Sequence, residues 1–187
     1  MHRLAKSLAV LVFAVASIVD VYAGTLAGVT LPDTVQVGDR SLVLNGLGVR
    51  KKFVVKVYVA GLYVEQKSAD ADAIIKAEVP KRIVMQFLHG ASKNQMADAF
   101  DQSFNNNAPE ARKALKADID RLLGALEAVK EGDQMVFTCV PGGGTTLVIN
   151  GKEKVTIAAP AFGPMLLSVW LGPKPPNEDL KKGMLGL

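Results

Sequence analysis

One segment restricts the fold of this chain more than any other. Residues 51–65 (KKFVVKVYVAGLYVE) are rich in valine, tyrosine and phenylalanine, the residue types that favour β-strands. The pattern predicts one long central strand over this segment, with a bend or bulge at Ala60-Gly61. A strand of this length needs neighbouring strands, so the core is expected to form on a β-sheet.

The segments around this strand alternate between strand and helix patterns. The predicted elements are, in chain order, a hairpin over Asp33–Asn45, a short helix over Asp70–Glu78, a strand over Lys81–His89, a helix capped by Ser92, a helix from Asn107 to Gly132, three strands between Gln134 and Ala158, a helix over Phe162–Leu171 and a last helix capped by Asn177. Strands, then helices, then strands again predict an α+β domain with a large antiparallel sheet. Helices on one face of such a sheet leave a cleft between sheet and helices as the natural ligand site.

The N-terminus has the pattern of a secretory signal. The first seven residues carry two cations, and an apolar run too short to span a bilayer follows over Leu8–Val19. Residues 21–23 (VYA) offer small or apolar side chains where a signal peptidase cuts. We therefore expect a cleaved signal over residues 1–23 and one periplasmic or secreted domain over residues 24–187, without stable membrane insertion. A retained membrane anchor is the alternative.

Composition excludes several classes of function. The net charge is +4 and the lysines are scattered, which argues against nucleic acid as a partner. Beyond residue 23 the chain has one histidine, His89, and one cysteine, Cys139, so a structural zinc site and an internal disulfide are both excluded. The sequence has no phosphate-binding loop or dinucleotide fingerprint, and we expect neither a metal nor a cofactor. The oligomeric state, and any pairing of Cys139 with another chain, stay open.

Side chains alternate across a strand, so parity sorts the predicted long strand into two faces. The odd-numbered residues form the expected core face: Phe53, Val55, Val57, Val59 and Tyr63. The even-numbered face carries Arg50, Lys52, Lys56 and Tyr58 and continues with Ala60 and Leu62. A guanidinium and a phenol on one face donate hydrogen bonds to an anion or a polarised carbonyl, beside an apolar wall. A solvent-facing surface with a half-buried tyrosine is the alternative, and whether the two lysines belong to a site is left open.

Several longer motifs carry a family resemblance. They are Leu44–Arg50 (LNGLGVR), Lys56–Glu65 (KVYVAGLYVE), Trp170–Pro175 (WLGPKP) and Asp179–Gly186 (DLKKGMLG). With them the sequence resembles the chalcone isomerase family, and more closely its exported bacterial chalcone isomerase-like proteins. The resemblance covers nearly all of residues 24–187. It implies an open-faced β-sandwich, in which helices cover one side of a large antiparallel sheet and the ligand lies between them.

The resemblance also implies roles for single residues. In the plant enzymes an arginine after the Gly-x-Gly-Val turn steadies the anion, and this position matches Arg50. The enzymes' threonine on the following strand matches Tyr58, and their late-helix threonine or serine falls near Val169, beside Ser168. Their catalytic tyrosine falls around residues 94–96, where this chain has no tyrosine. The family's plastid fatty-acid-binding proteins instead hold a carboxylate with an arginine and a tyrosine, in a context that the segment around Tyr58 resembles.

Three functional hypotheses follow. The first is a non-catalytic binder of a small apolar carboxylate, such as a fatty acid, held by Arg50 and Tyr58 in the cleft. The second is an isomerase, an intramolecular lyase acting on an enone, in which Arg50 stabilises the oxyanion and Tyr58 polarises the carbonyl. The third is a partner-binding or assembly role, with the cleft filled by the protein's own side chains. The missing tyrosine favours the first hypothesis over the second.

Overall fold

The structure is a computed structural model, and it describes residues 22–187 of the chain. The strands in these residues are β1 (Tyr22–Leu26), β2 (Val29–Pro32), β3 (Thr34–Val37), β4 (Arg40–Lys52), β5 (Val55–Val64), β6 (Lys81–Phe87), β7 (Gln134–Val140), β8 (Gly144–Ile149) and β9 (Lys152–Ile157). The helices are α1 (Ala71–Lys76), α2 (Lys93–Asn107), α3 (Pro109–Ala114), α4 (Lys116–Ala125), α5 (Phe162–Leu171) and α6 (Glu178–Met184). The predicted signal over residues 1–23 lies outside the described residues, except for the last two, which begin β1.

Strands β3 to β9 form one antiparallel sheet in which the spatial order follows the chain order. The main core lies on one face of this sheet, where buried side chains of five helices pack against it. A smaller core lies on the opposite face, under the separate β1–β2 hairpin. The predicted α+β architecture is therefore confirmed. Within residues 22–187, no helix is both long and apolar enough to cross a bilayer.

The predicted long strand over residues 51–65 is wrong at its N-terminal end. The chain reverses at Phe53-Val54, so β4 and β5 are two strands of a hairpin and the glycine-containing segment before Arg50 is strand rather than turn. Phe53 adopts a φ of 54°, the left-handed conformation that permits the tight reversal. The predicted bend at Ala60-Gly61 is also wrong, because β5 pairs with β6 without interruption there. As a result, the odd-numbered residues that were predicted to face the core are exposed at the turn and buried from Val59 onward.

Two bulges interrupt the pairing of β4 with β5. Asn45 is the extra residue on β4, and Val57 is the extra residue on β5. The buried Asn45 amide donates to the carbonyls of Ser68 and Met184 and accepts from Ser68 N, so it joins β4 to the loop after β5 and to the end of α6. Between the bulges, the strands pair in regular register from Gly46 opposite Leu62 to Arg50 opposite Tyr58.

Glycines allow α6 to lie directly on β4. A Cβ on Gly46 would collide with the carbonyl oxygen of Gly183, and a Cβ on Gly48 would collide with that of Leu180. A Cβ on Gly183 would in turn collide with the carbonyl oxygen of Leu47. The backbones of strand and helix are therefore in contact, and the LNGLGVR and DLKKGMLG motifs meet in the fold.

The helices between β6 and β7 confirm one prediction and correct another. Ser92 caps α2 as predicted, and together with Gln95 it forms a capping box. The predicted single helix from Asn107 to Gly132 is wrong: it is broken between α3 and α4, and α4 ends at Ala125. The buried Leu126 is already extended, and Val129 pairs with Ala91 instead of continuing the helix.

Candidate functional site

Arg50 and Tyr58 lie directly opposite each other on β4 and β5. Opposite residues in an antiparallel pair have Cβ atoms about 5 Å apart and point to the same face of the sheet. Gly46 and Gly48 occupy the same face of β4, so this face is the one that α6 covers. The structure therefore brings the two predicted site residues together, at the edge of the main core.

Tyr58 is buried, and its hydroxyl is a hydrogen-bond acceptor. Trp170 Nε1 donates to Tyr58 Oη at 3.1 Å, and the ring of Phe87 packs against the tyrosine ring edge-on at 5.7 Å between centroids. Burial raises the pKa of Tyr58 to about 12, while the hydrogen bond from Trp170 and the charge of Arg50 oppose the increase. The phenol is therefore protonated at neutral pH. Its own proton has no acceptor among residues 22–187.

Arg50 is half-buried and held by one edge of its guanidinium. Its Nη1 donates to the carbonyl oxygen of Lys51 and to Asn177 Oδ1, the latter at 2.8 Å. Asn177 Oδ1 also accepts from Lys51 N at 2.8 Å. The predicted capping role of Asn177 is therefore wrong: it occupies the N-cap position of α6 but makes no side-chain cap hydrogen bond. Within residues 22–187 no carboxylate pairs with Arg50.

Aromatic and methionine side chains form the apolar wall behind Tyr58. Trp170 is fully buried and packs against Phe100 and Phe137, with ring centroids 5.9 Å apart in both pairs. Five methionines are buried in the same core: Met85, Met96, Met135, Met165 and Met184. The space predicted to be a cleft is thus occupied beside Tyr58 by the protein's own side chains. Unbranched methionines repack more readily than other apolar residues, so this wall is adaptable.

A cavity of about 280 Å³ lies at the other end of α5. Lys81, Cys139, Thr145, Gly163 and Leu167 are among the residues that line it. Helix α5 leads from this cavity to Trp170, a distance of about 10 Å from Gly163 at the rise of an α-helix. The helix therefore connects the cavity with the Arg50–Tyr58 pair along the inside of the main core.

Sequence reasoning did not single out Lys81. Its ammonium group is buried and donates to the carbonyl oxygens of Ala77 and Val79, the latter at 3.0 Å. Burial lowers the pKa of Lys81, while Cys139 and Glu65 oppose the decrease. A lysine at the start of a strand carries no sequence signal for burial, because most such lysines face water.

The other residues considered from the sequence are exposed, lie apart from the Arg50–Tyr58 pair, or already make hydrogen bonds within the protein. Lys52, Lys56 and His89 are exposed. The buried Ser168 hydroxyl donates to the Met165 carbonyl oxygen at 2.6 Å, one turn back along α5. Cys139 is a free, buried thiol, and burial raises its pKa. Among the described residues, no three His, Cys, Asp or Glu side chains are grouped to hold a metal ion.

Comparison with known proteins identifies the family. Residues 23–186 match the model of the chalcone isomerase-like family, and the chain belongs to that family. Among solved structures it is similar to the crystal structure of a fatty-acid binding protein from Arabidopsis thaliana, with a TM-score of 0.66 and 16% sequence identity. The match covers 84% of this chain and 92% of that one, and at this identity it establishes the fold. A search of curated protein sequences gave no match.

Proposed function

We propose that this protein is an exported, non-catalytic binder of a small apolar carboxylate such as a fatty acid. The observation that carries the proposal is the pairing of Arg50 with Tyr58 at the edge of an apolar core. The guanidinium has N–H groups beyond Nη1 to offer, and the buried phenol has a proton without an acceptor in residues 22–187. A carboxylate is an acceptor that suits both groups.

The head group is bound through charge-assisted hydrogen bonds. Arg50 supplies the positive charge, and Tyr58 donates its proton to one carboxylate oxygen while it continues to accept from Trp170. Because the pKa of Tyr58 is raised to about 12, the donor is present throughout the neutral range. An uncharged alcohol lacks the charge that Arg50 recognises, so the pair selects acids over alcohols.

The tail lies along α5, between the sheet and the helices. It displaces or repacks side chains of the methionine-containing wall and extends toward the cavity bounded by Cys139 and Leu167. Each buried methylene contributes about 0.8 kcal/mol, so affinity rises with chain length until the available space is filled. The similarity in fold to a fatty-acid binding protein supports this interpretation, as does membership of the chalcone isomerase-like family.

Fluorescence of the single tryptophan tests the proposal. Saturated fatty acids of increasing length, each compared with its alcohol, are titrated against the wild type and the Arg50→Ala and Arg121→Ala variants. Arg121 is an exposed arginine on α4 and serves as the matched control. We expect acids to bind more tightly than alcohols in the wild type and in Arg121→Ala, and Arg50→Ala to lose this preference. Equal binding of acid and alcohol by the wild type would show that Arg50 is not the anchor.

A turnover assay separates binding from the isomerase alternative. Arg50 and Tyr58 could also stabilise the oxyanion of an enone during ring closure. A chalcone incubated with the wild type is expected to cyclise at the uncatalysed rate. Cyclisation above that rate in the wild type, lost in Arg50→Ala and retained in Arg121→Ala, would replace the binding proposal with an isomerase.

A further inference from the structure

The turn between β4 and β5 exposes three consecutive apolar side chains. Phe53 and Val54 are 93% and 95% exposed, and Val55 is exposed as well. Among the residues whose side chains are described, Leu187 is the one other large apolar residue exposed in this way. Single apolar residues on a surface need no explanation, whereas three in a row at the end of a hairpin form a patch. We call Phe53-Val54-Val55 the apolar tip.

Positive charge surrounds the apolar tip. Four cations flank it in the sequence: Arg50, Lys51, Lys52 and Lys56. Residues 41–64 contain no aspartate or glutamate, and the three lysines form no ion pair within residues 22–187. Glu178 and Asp179 follow Asn177 at this end of β4 and also form no ion pair with these lysines. The tip therefore presents apolar side chains with unpaired positive charges behind them.

Folding alone does not explain a phenylalanine at this turn. The φ of 54° at Phe53 lies in the left-handed region, which disfavours a bulky side chain and which glycine or asparagine adopts readily. The ring lies outside the core, so no packing offsets this cost. Phe53 therefore weakens the fold slightly, and its ring is stabilised only through contact with something outside the described residues.

We propose that the apolar tip and its flanking lysines form a contact surface for an anionic lipid bilayer. The apolar side chains enter the region between head groups and acyl chains, where aromatic rings are favoured. The lysines remain at the level of the lipid phosphates, and their charge selects anionic lipids. The surface is small, so the contact is peripheral and reversible. It does not depend on the bound carboxylate proposed above.

A tryptophan placed at the tip tests this contact, because Trp170 is fully buried and its emission is shielded from lipid. Phe53→Trp adds an indole at the tip. Leu187→Trp is the control, since the neighbouring Gly186 lies against Asn45 in the middle of β4, about 26 Å from Phe53 along the strand. The full-length variants are mixed with vesicles of equal parts phosphatidylcholine and phosphatidylglycerol, with or without brominated acyl chains. We expect blue-shifted emission and bromine quenching for Phe53→Trp and neither for Leu187→Trp.

Charge variants test the role of the lysines in the same vesicle assay. Neutralising Lys51, Lys52 and Lys56 to glutamine is expected to weaken binding about a hundredfold, roughly fivefold for each lysine near an anionic surface. The matched control neutralises Lys67, Lys76 and Lys113, three exposed lysines elsewhere, and is expected to leave binding unchanged. Phe53→Asn suits the left-handed backbone, so it should abolish insertion without lowering the melting temperature.

Four outcomes would overturn the proposal. The first is unchanged emission of Phe53→Trp with anionic vesicles, and the second is equal quenching at both tryptophan positions. The third is equal loss of vesicle binding in the two sets of lysine variants. The fourth is a blue shift of Phe53→Trp that appears without vesicles as the protein concentration rises, which would identify the tip as a contact between two copies of the chain.

Discussion

The side-chain oxygen of Asn177 lies 2.8 Å from Nη1 of Arg50 and accepts a hydrogen bond from it. A neutral acceptor at this position orients the guanidinium and leaves its charge available. An aspartate would keep the acceptor atom and its geometry but would form an ion pair with the arginine. In the proposed site, the identity of residue 177 therefore determines whether the charge of Arg50 is available to an anion.

The Asn177→Asp variant is expected to bind fatty acids at least tenfold more weakly, because the new carboxylate competes for Arg50. Affinity for the corresponding alcohols should not change, since they do not use the charge. Trp170 fluorescence titrations measure both. Asn94→Asp, an exposed position on α2, is the control for the added charge. Equal weakening of acid and alcohol binding would mean that the variant acts through the fold of α6 rather than through Arg50.

The Tyr58→Phe variant is expected to lower the free energy of unfolding by about 1–3 kcal/mol, because it leaves the buried Trp170 Nε1 donor without a partner. Denaturant unfolding measures the loss. In a double-mutant cycle with Trp170→Phe, the second substitution removes the unpaired donor. Removing the Tyr58 hydroxyl should therefore lower the free energy of unfolding less in the Trp170→Phe background than in the wild type. Additive effects of the two substitutions would contradict the hydrogen bond.

Stability is expected to fall between pH 10 and pH 12, because Tyr58 ionises in the unfolded state at a lower pH than in the folded state. Burial raises its pKa from 10.0 to about 12, so the folded state retains a proton that the unfolded state has released. The contribution of the protonated Tyr58 to the free energy of unfolding is complete below pH 10 and is lost as the pH rises through 12, a change of about 3 kcal/mol. Unfolding free energies measured across this range should show a smaller fall in Tyr58→Phe.

The Tyr63→Phe variant is the control for this pH dependence. Burial also raises the pKa of Tyr63, whose hydroxyl donates to the Pro32 carbonyl oxygen at 2.9 Å. This variant should therefore retain the share of the pH dependence that belongs to Tyr58. An identical decline in the wild type and in Tyr58→Phe would assign the effect to other groups.

The Gly48→Ala variant is expected to destabilise the protein by about 3 kcal/mol or more, because its Cβ would collide with the backbone of Leu180. Gly124→Ala is the matched control. Gly124 lies in α4 with open space around its Cα, so alanine should stabilise the helix by up to about 1 kcal/mol. Thermal unfolding compares the two variants. Comparable stability of the two would show that α6 does not pack on β4 as described.

Local sequence signals were sufficient for much of the fold. Helix α5 has its predicted bounds at Phe162–Leu171, because a continuous apolar run between two breaking segments has few alternatives. The turn at Asn150-Gly151 was also predictable, since both residues readily adopt the positive φ values found there. The β4–β5 turn was not predictable, because Phe53 takes a conformation that its residue type disfavours. Gly46 and Gly48 suggested a turn although they serve the contact with α6, which no local pattern reveals.

The candidate site was predicted only in part. The pairing of Arg50 with Tyr58 was inferred from parity along one strand, whereas the two residues lie on two strands and meet through the register between the bulges. Their partners carry no sequence signal. Trp170 is 112 positions from Tyr58 and Asn177 is 127 positions from Arg50, so their contacts exist only after the chain has folded.

The contact of α6 with β4 also has a consequence for the order of assembly. Residues 177–184 follow every strand of the sheet in the chain, and until they dock the glycine face of β4 has no cover and Arg50 has no Asn177 to orient it. A growing chain can pair β3 to β9 as they appear, yet it cannot complete the proposed anion site before α6 has emerged and docked. The proposed site therefore depends on a contact that forms after the sheet, and because Leu180 and Met184 are fully buried, the same late contact also closes the main core.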